Sequence, residues 1–104
     1  MKKYVIGRVT TKPGMRDEYL KLGNGYVVTS RAEAGCLYYR HGPDHEDPNG
    51  VLVVECWETP EHHAAHTRAP HFAAFGPVFE KYVASAHFEE MNVGDVNDVV
   101  IGGN

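Results

Sequence analysis

A polar loop between two apolar segments constrains the fold of this chain more than any other feature of its sequence. Residues 35–41 and 51–58 are rich in apolar and aromatic side chains, and residues 42–50 between them have the sequence Gly-Pro-Asp-His-Glu-Asp-Pro-Asn-Gly. Glycine, proline, asparagine and aspartate are the residues that turns favour. A short connection of this composition joins antiparallel neighbours, so the sequence predicts a β-hairpin.

The first part of the chain predicts a strand followed by a helix. Residues 4–10 alternate loosely and are rich in β-branched side chains, which is typical of a strand. The next segment carries large side chains at spacings of four, three and four, as on one face of an α-helix: Met15, Tyr19, Leu22 and Tyr26. Gly23 and Gly25 weaken that helix by about 2 kcal/mol relative to alanine. We expect a kink, a break or close packing at this point.

Two helical segments and a last strand follow the hairpin. Thr59 predicts an N-cap, Pro70 interrupts the helix that begins there, and a second helical segment follows. Residues 85–93 predict the last strand. The resulting order, β-α-β-β-α-β, is that of ferredoxin-like α+β folds. We therefore expect one domain over residues 3–93 and a C-terminal tail over residues 94–104.

Charge and composition argue against several classes of protein. The formal net charge is -4 and no run of basic residues occurs, which argues against a nucleic-acid partner. The apolar run behind Met1-Lys2-Lys3 covers only residues 4–6. That is too short for a signal peptide or a membrane span, so we expect a cytoplasmic protein with no membrane partner. We expect Cys36 and Cys56 to be free thiols.

Glu55 lies in the middle of the third predicted strand, among mostly apolar residues. Period-two alternation places it on one face with Val53 and Trp57. A buried, unpaired carboxylate is costly, so the role of Glu55 depends on its partner. If Arg40 on the neighbouring strand reaches Glu55, the two form a structural ion pair. If it does not, the pKa of Glu55 is raised and this side chain becomes a candidate general acid or base.

Four histidines follow in the helical region: His62, His63, His66 and His71. His62 and His66 are four residues apart and share a helix face, a spacing that suits a metal ion. No cysteine or acidic residue supplies a third ligand at a recognised spacing, so the sequence predicts no metal site. We expect His66 to point inward, either as a hydrogen-bonded core histidine or as a group that transfers protons near neutral pH.

Several motifs taken together resemble the antibiotic biosynthesis monooxygenase family. They are Lys12-Pro13-Gly14, Arg31-x-Glu33-x-Gly35-Cys36-x-x-Tyr39, Glu55-x-Trp57 and His66-x-x-x-Pro70-His71-Phe72. The resemblance extends over residues 3–93. It implies a dimeric α+β barrel, in which two four-stranded sheets pack together and helices cover a pocket in each subunit.

The resemblance also implies an activity. The best-known members of the family oxygenate quinols or polycyclic phenols without flavin, haem or metal, because the deprotonated substrate reduces O₂ itself. On this basis we expect a homodimer that needs no cofactor and acts on a small aromatic substrate with O₂. Glu55 and His66 would be the catalytic base and the proton shuttle. The side chains expected to bind the substrate are Trp57, Phe72, Tyr39, Arg40 and His71.

Two other functions are compatible with the same residues. Glu55 and His66 also suit an isomerase that moves a proton on a small carbonyl compound, and a fold of this kind can serve as a ligand-binding dimer without catalysis. Haem degradation is not expected. That branch of the family has a tryptophan at the position of His66 and an asparagine in the first strand, and this chain has neither.

Overall fold

The computed structural model describes residues 1–103 and contains four strands and three helices within them. In chain order these are β1 (Lys2–Thr11), α1 (Arg16–Arg31), β2 (Cys36–Pro43), β3 (Gly50–Trp57), α2 (Pro60–Thr67), α3 (Pro70–Tyr82) and β4 (Val83–Val93). The strands form one antiparallel sheet in the order β2-β3-β1-β4. The predicted ferredoxin-like α+β fold is confirmed.

The loop between β2 and β3 closes the predicted hairpin and is fastened to the first helix. The guanidinium of Arg16, at the start of α1, donates to the carbonyls of Asp44 at 3.1 Å and Asp47 at 2.7 Å. The hairpin register places Tyr39 opposite Glu55, after an irregularity between Cys36 and Tyr38. Because opposite residues share a face of the sheet, Tyr39 and Glu55 are neighbours on the same face.

Helix α1 continues without a break through its two glycines. Gly23 is buried against α3, and a Cβ atom at this position would lie 3.3 Å from the ring of Phe75. Of the three outcomes expected here, close packing is the one found. The glycine therefore weakens the helix but lets α1 and α3 approach each other closely.

Local signals set the boundaries of the second and third helices. Thr59 has an extended backbone, and its Oγ1 accepts a hydrogen bond from the amide of His62 at 3.2 Å, as expected of an N-cap. Pro60 occupies the first turn of α2, and Pro70 occupies the first turn of α3. Proline is tolerated there because the first amides of a helix have no partner within it.

Most of the buried side chains belong to α1 and to strands β1, β2 and β3. Two apolar clusters, composed of Val9, Tyr19, Val51 and Val53 and of Val27, Tyr39 and Trp57, lie between α1 and strands β1 to β3. Helix α3 and strand β4 contribute no buried residue. These two elements lie beside the core and, together with the sheet and α1, border a cavity.

A glycine in β1 shapes one wall of that cavity. Gly7 pairs with Phe88 of β4, and a Cβ atom on Gly7 would lie 2.5 Å from the ring of Phe88. The absence of a side chain at Gly7 lets this ring lie flat across the sheet. Within residues 1–103, no helix combines the length and apolar character needed to cross a lipid bilayer.

Candidate active site

The cavity has a volume of about 390 Å³ and an apolar, strongly aromatic lining. The aromatic side chains come from α1, β2, α3 and β4: Tyr19, Tyr26, Tyr39, Phe72, Phe75, Phe79 and Phe88. Val5, Val9 and Val53 form part of the sheet surface beneath it. A cavity of this size and lining suits a small, flat apolar ligand.

Glu55 places a carboxyl group on the sheet surface of this cavity. It is 6% exposed, and the indole Nε1 of Trp57 donates a hydrogen bond to its Oε1 at 3.0 Å. Burial raises the pKa of Glu55 to about 7, the hydrogen bond from Trp57 opposes that rise, and the nearby charge of Glu90 adds to it. Glu55 therefore exchanges a proton near neutral pH, as a general acid or base requires.

His63 is the imidazole nearest to this carboxyl group. Its Nε2 lies 3.9 Å from Oε1 of Glu55, and its ring lines the cavity. Burial lowers the pKa of His63 while it raises that of Glu55, so both groups favour their neutral forms and do not form a strong ion pair. A neutral imidazole at this distance can exchange protons with Glu55 through one intervening water.

A chain of hydrogen bonds leads from the cavity to a second carboxylate. Tyr39 donates to the hydroxyl of Tyr26 at 3.0 Å, and that hydroxyl lies 3.1 Å from Nε2 of His66. On the other side of the ring, Nδ1 of His66 lies 2.5 Å from Oε2 of Glu33. A carboxylate only accepts, so Nδ1 carries the imidazole proton and Nε2 accepts from Tyr26.

The surroundings of His66 hold its ring in this orientation. His66 is 1% exposed, its ring centroid lies 4.8 Å from that of Trp57, and Phe72 packs edge-on against it at 5.3 Å. Burial lowers the pKa of His66, and the hydrogen bond to Glu33 opposes that change. Burial also raises the pKa of Tyr26 to about 12, which keeps its hydroxyl protonated. The two tyrosines, His66 and Glu33 thus form one oriented network.

All but one of the predicted site residues fall into two groups in the structure. Glu55, Tyr39 and Phe72 line the cavity. Trp57, His66 and His71 lie behind this first layer: Trp57 holds Glu55, and the two histidines contact Glu33.

Arg40 is the exception, and its predicted contact with substrate needs correction. It pairs with Val54, on the face of the sheet away from the helices. Its guanidinium donates to the carbonyl of Tyr39 and lies over the ring of Tyr38 at 5.4 Å from the centroid. Alternation along β2 directs Tyr39 inward and Arg40 outward, so Arg40 reaches neither Glu55 nor the cavity. Because no ion pair with Arg40 stabilises the ionised form of Glu55, burial leaves the pKa of this carboxyl group raised.

The predicted pair of His62 and His66 also separates in the structure. Nδ1 of His62 lies 2.8 Å from Oγ1 of Thr59, at the start of α2, and its ring packs on Gly35. His66 turns instead toward Glu33. Although they are four residues apart on one helix, His62 and His66 therefore make separate contacts and do not point toward a common ligand.

Three residues of the site escaped prediction from the sequence. Tyr26 was recognisable only as part of the apolar face of α1, Glu33 only as part of a family motif, and His63 only as one of four histidines. Glu33 and His66 are 33 residues apart. No periodic pattern connects positions at that separation, so only the fold reveals their contact.

Comparison with known proteins supports one family. The model of the antibiotic biosynthesis monooxygenase family matches residues 4–78. An uncharacterised protein of Synechocystis sp. is 30% identical over 71 residues, which cover 68% of this chain. The match spans about half of that relative's length, 48%.

Solved structures share the architecture closely. A protein from Pseudomonas aeruginosa is 24% identical with a TM-score of 0.81, over 90% of this chain and 95% of that chain. A candidate antibiotic biosynthesis monooxygenase from Deinococcus radiodurans is 17% identical with a TM-score of 0.85, over 94% and 98%. Another candidate, from Chloroflexus aurantiacus, is 25% identical with a TM-score of 0.73, over 93% and 98%. At identities this low, the likeness supports the fold.

Proposed function

The chain belongs to the antibiotic biosynthesis monooxygenase family, and from this we propose that it is a cofactor-independent monooxygenase acting on a quinol or a related phenolic aromatic compound. One observation carries the proposal. A carboxyl group whose pKa is raised to about 7 by burial lies in an aromatic cavity of about 390 Å³. This combination suits the binding of a flat aromatic ring and the removal of a proton from its hydroxyl group.

Substrate binding would use the aromatic lining of the cavity. The rings of Phe72, Phe75 and Phe88 offer apolar surfaces for a planar substrate, while Glu55 offers the polar group that orients it. Expulsion of water from the cavity would strengthen the hydrogen bond between the carboxylate and the phenolic hydroxyl. The substrate would therefore bind with its hydroxyl group toward Glu55.

The electrons for the reaction would come from the substrate. Glu55 in its ionised form takes the phenolic proton, and the electron-rich phenolate gives one electron to O₂. The two radicals combine to form a carbon–oxygen bond, which leaves a peroxide on the ring. Loss of water from that peroxide, together with the ring hydrogen at the same carbon, leaves a new carbonyl group. One oxygen atom enters the product, the other leaves as water, and no external reductant is consumed.

Glu55 would act twice in this sequence. After taking the phenolic proton it is a neutral acid, able to protonate the peroxide oxygen that departs as water. A pKa of about 7 suits both steps, because neither transfer is then strongly uphill near neutral pH. His63, 3.9 Å from Glu55, would return protons between this carboxyl group and solvent. Tyr39, His66 and Glu33 would support the wall of the cavity and fix the orientation of Tyr26.

A second candidate function uses the same pair of proton-transfer groups. Glu55 and His63 stand side by side, 3.9 Å apart, and could move a proton between two carbons of a small carbonyl compound. Such an isomerase would consume no O₂. Oxygen consumption therefore separates the two candidates, and the loss of all turnover on substitution of Glu55 would separate both from a ligand-binding protein.

The experiment is oxygen uptake by metal-stripped protein with a panel of reduced quinols and phenols. We expect uptake above the rate of autoxidation, a large loss in Glu55→Gln and a smaller loss in His66→Ala. Glu18→Gln serves as the matched control, because Glu18 is exposed on α1 and does not line the cavity. Uptake equal to the protein-free blank for every compound would contradict the oxygenase proposal.

We also propose that the protein is a homodimer. The face of the sheet opposite the helices leaves large apolar side chains open, with Ile6 48%, Leu52 45% and Tyr38 47% exposed. A second copy packed on this face would cover them, in line with the barrel that the family resemblance implies. Light scattering coupled to size exclusion should give twice the mass of the chain, and Leu52→Lys should shift the population toward the monomer.

A further inference from the structure

We propose that Glu33, His66 and His71 form a binding site for a divalent cation of the zinc class, beside the cavity and separate from it. One ligand atom from each side chain, Oε2 of Glu33, Nδ1 of His66 and Nε2 of His71, lies within 4.8 Å of the other two. Two imidazole nitrogens and one carboxylate oxygen are a ligand set that zinc uses when a fourth position stays open. This inference does not rest on the proposed function.

The three ligands come from three different segments of the fold. Glu33 lies in the turn between α1 and β2, His66 is near the end of α2, and His71 is in the first turn of α3. Oε2 of Glu33 is 2.5 Å from Nδ1 of His66 and 3.2 Å from Nε2 of His71. Ligands bound to zinc at about 2.0–2.1 Å stand about 3.3 Å apart. A movement of the Glu33 carboxylate by less than about 1 Å corrects its two distances. The two imidazole nitrogens lie within 4.8 Å of each other, and a small rotation of the His71 ring would adjust their spacing.

One supporting contact already holds His66 as a metal site requires. The nitrogen of His66 that would not bind the cation is engaged by the hydroxyl of Tyr26 at 3.1 Å. Metal-binding histidines are characteristically oriented by a hydrogen bond at their second nitrogen. Ser30 Oγ lies 3.2 Å from Nε2 of His71, the nitrogen that would bind the cation, so the cation would replace this contact.

The cluster is also accessible from solvent. The side chains of Glu33 and His71 are 18% and 21% exposed, whereas His66 is 1% exposed. A cation could therefore reach the site through Glu33 and His71, and water could occupy the fourth position. None of the three ligands lines the cavity, so the cation would not contact a bound substrate.

Cation binding would reverse the polarity of the network around Tyr26. In the metal-free state Nδ1 of His66 carries the proton and Nε2 accepts from Tyr26. With a cation on Nδ1, the proton of the neutral ring must reside on Nε2, which then donates to Tyr26. The hydroxyl of Tyr26 is freed to donate to Tyr39, and that of Tyr39 to point elsewhere in the cavity. The cation would thus link α2 and α3 to the α1–β2 turn. It would also reverse the direction of the hydrogen bonds that join His66, Tyr26 and Tyr39.

The test is a calorimetric titration of tag-free, chelator-treated protein with zinc chloride at neutral pH, joined to thermal unfolding with and without zinc. We expect one site per chain and an increase in Tm with zinc, because a ligand that binds only the folded state stabilises it. Glu33→Gln and His71→Gln should each weaken zinc binding at least about tenfold. His45→Gln is the matched control, since His45 is exposed in the loop between β2 and β3 and is not one of the three ligands.

Nitrogen NMR of the His66 ring in the wild-type protein gives a second readout that needs no variant. We expect the protonated nitrogen to change from Nδ1 to Nε2 on addition of zinc. The proposal is overturned if wild type shows neither binding heat nor an increase in Tm at a large excess of zinc. Binding that is equally tight in both ligand variants, or an unchanged His66 tautomer at saturation, would overturn it as well.

Discussion

Two carboxylate groups in this protein have opposite surroundings, although both lie close to histidines and aromatic rings. Glu55, on the sheet surface of the cavity, receives one hydrogen bond from Trp57 at 3.0 Å and faces His63 at 3.9 Å. Glu33, in the α1–β2 turn, has two imidazole nitrogens at 2.5 and 3.2 Å from a single oxygen. The carboxyl group of Glu55 faces the cavity, whereas the carboxylate of Glu33 contacts two histidines outside it.

The difference shows how a fold assigns different tasks to the same chemical group. Burial without sufficient donors raises the pKa of Glu55 to about 7, which makes proton exchange possible under ordinary conditions. Glu33 instead fixes the tautomer of His66 and, through it, the hydroxyl of Tyr26. The carboxyl group assigned to the reaction is thus the buried one inside the cavity, and the one that positions other groups is the partly exposed one outside it.

The strongest test of this comparison is the activity of matched amide variants. Glu55→Gln should lower kcat/KM for oxygen uptake by about 10²–10⁴-fold, the usual contribution of a general base. Glu33→Gln should lower it by about tenfold, because it disturbs only the support of the cavity wall. Steady-state oxygen electrode measurements of kcat/KM for wild type and both variants give the two losses to be compared. A larger loss in Glu33→Gln than in Glu55→Gln would reverse the assignment of roles.

The pH dependence of stability tests the state of Glu55 directly. Its pKa is raised from 4.5 to about 7 by folding, so the neutral form is favoured in the folded state. The resulting stability is fully present below about pH 4.5 and is lost as the pH rises through about 7, a change of about 3 kcal/mol in the free energy of unfolding.

Glu55→Gln should remove this dependence. The variant should match wild type at acidic pH and be more stable by about 2–3 kcal/mol at mildly alkaline pH, because an amide cannot ionise. Urea denaturation of both proteins across the pH range measures the difference. Parallel curves would show that Glu55 does not titrate above its ordinary range.

The hydroxyl group of Tyr26 connects the cavity wall at Tyr39 to His66 and Glu33, so its removal breaks the hydrogen-bond network between the surroundings of the two carboxylates. Tyr26→Phe leaves Tyr39 without its acceptor and Nε2 of His66 without its donor. Unsatisfied buried polar groups cost about 1–3 kcal/mol, and we expect a loss of that size in urea denaturation. Tyr82→Phe is the control, because the Tyr82 side chain packs beside the core outside the network, and loss of its hydroxyl group should change stability by less than about 0.5 kcal/mol.

The smallest expected effect concerns the hydrogen bond from Trp57 to Glu55. Trp57→Phe removes the indole N–H that lowers the pKa of this carboxyl group, so the pKa should rise above its wild-type value. The midpoint of the pH–rate profile should move upward by about half a pH unit to one unit. Carbon NMR of the Glu55 carboxyl group in the folded variant checks the same shift. A midpoint that moves downward would contradict the role assigned to Trp57.

Sequence reasoning succeeded where the determinants are local. Thr59, Pro60 and Pro70 act through their own backbone positions, so the limits of α2 and α3 followed from the residues themselves. Alternation along β3 likewise placed Glu55 on one face with Val53 and Trp57, and all three side chains are buried. These features depend on neighbours within a few positions in the chain.

Sequence reasoning failed where the determinants are contacts between distant segments. Whether Gly23 would break α1 depended on Phe75, which is far along the chain and fills the space that glycine leaves. The partner of His66 depended on the turn that carries Glu33, and the contact of Arg40 with Glu55 was excluded only by the hairpin register. Tertiary packing decides such cases, and no short-range pattern records it.

The place of β4 in the sheet has a consequence for how the protein is made. β1 and β4 pair from Lys2 opposite Val93 to Thr10 opposite Ser85. During synthesis, β1 therefore emerges well before the strand that pairs with one of its edges. Phe88 and Glu90, which line the cavity, arrive only with that last strand. A nascent chain on the ribosome can assemble β1, α1 and the hairpin, but one edge of β1 stays open until synthesis passes β4. The cavity is therefore complete only after β4 has paired with β1, and a chain shortened before β4 lacks one wall of it.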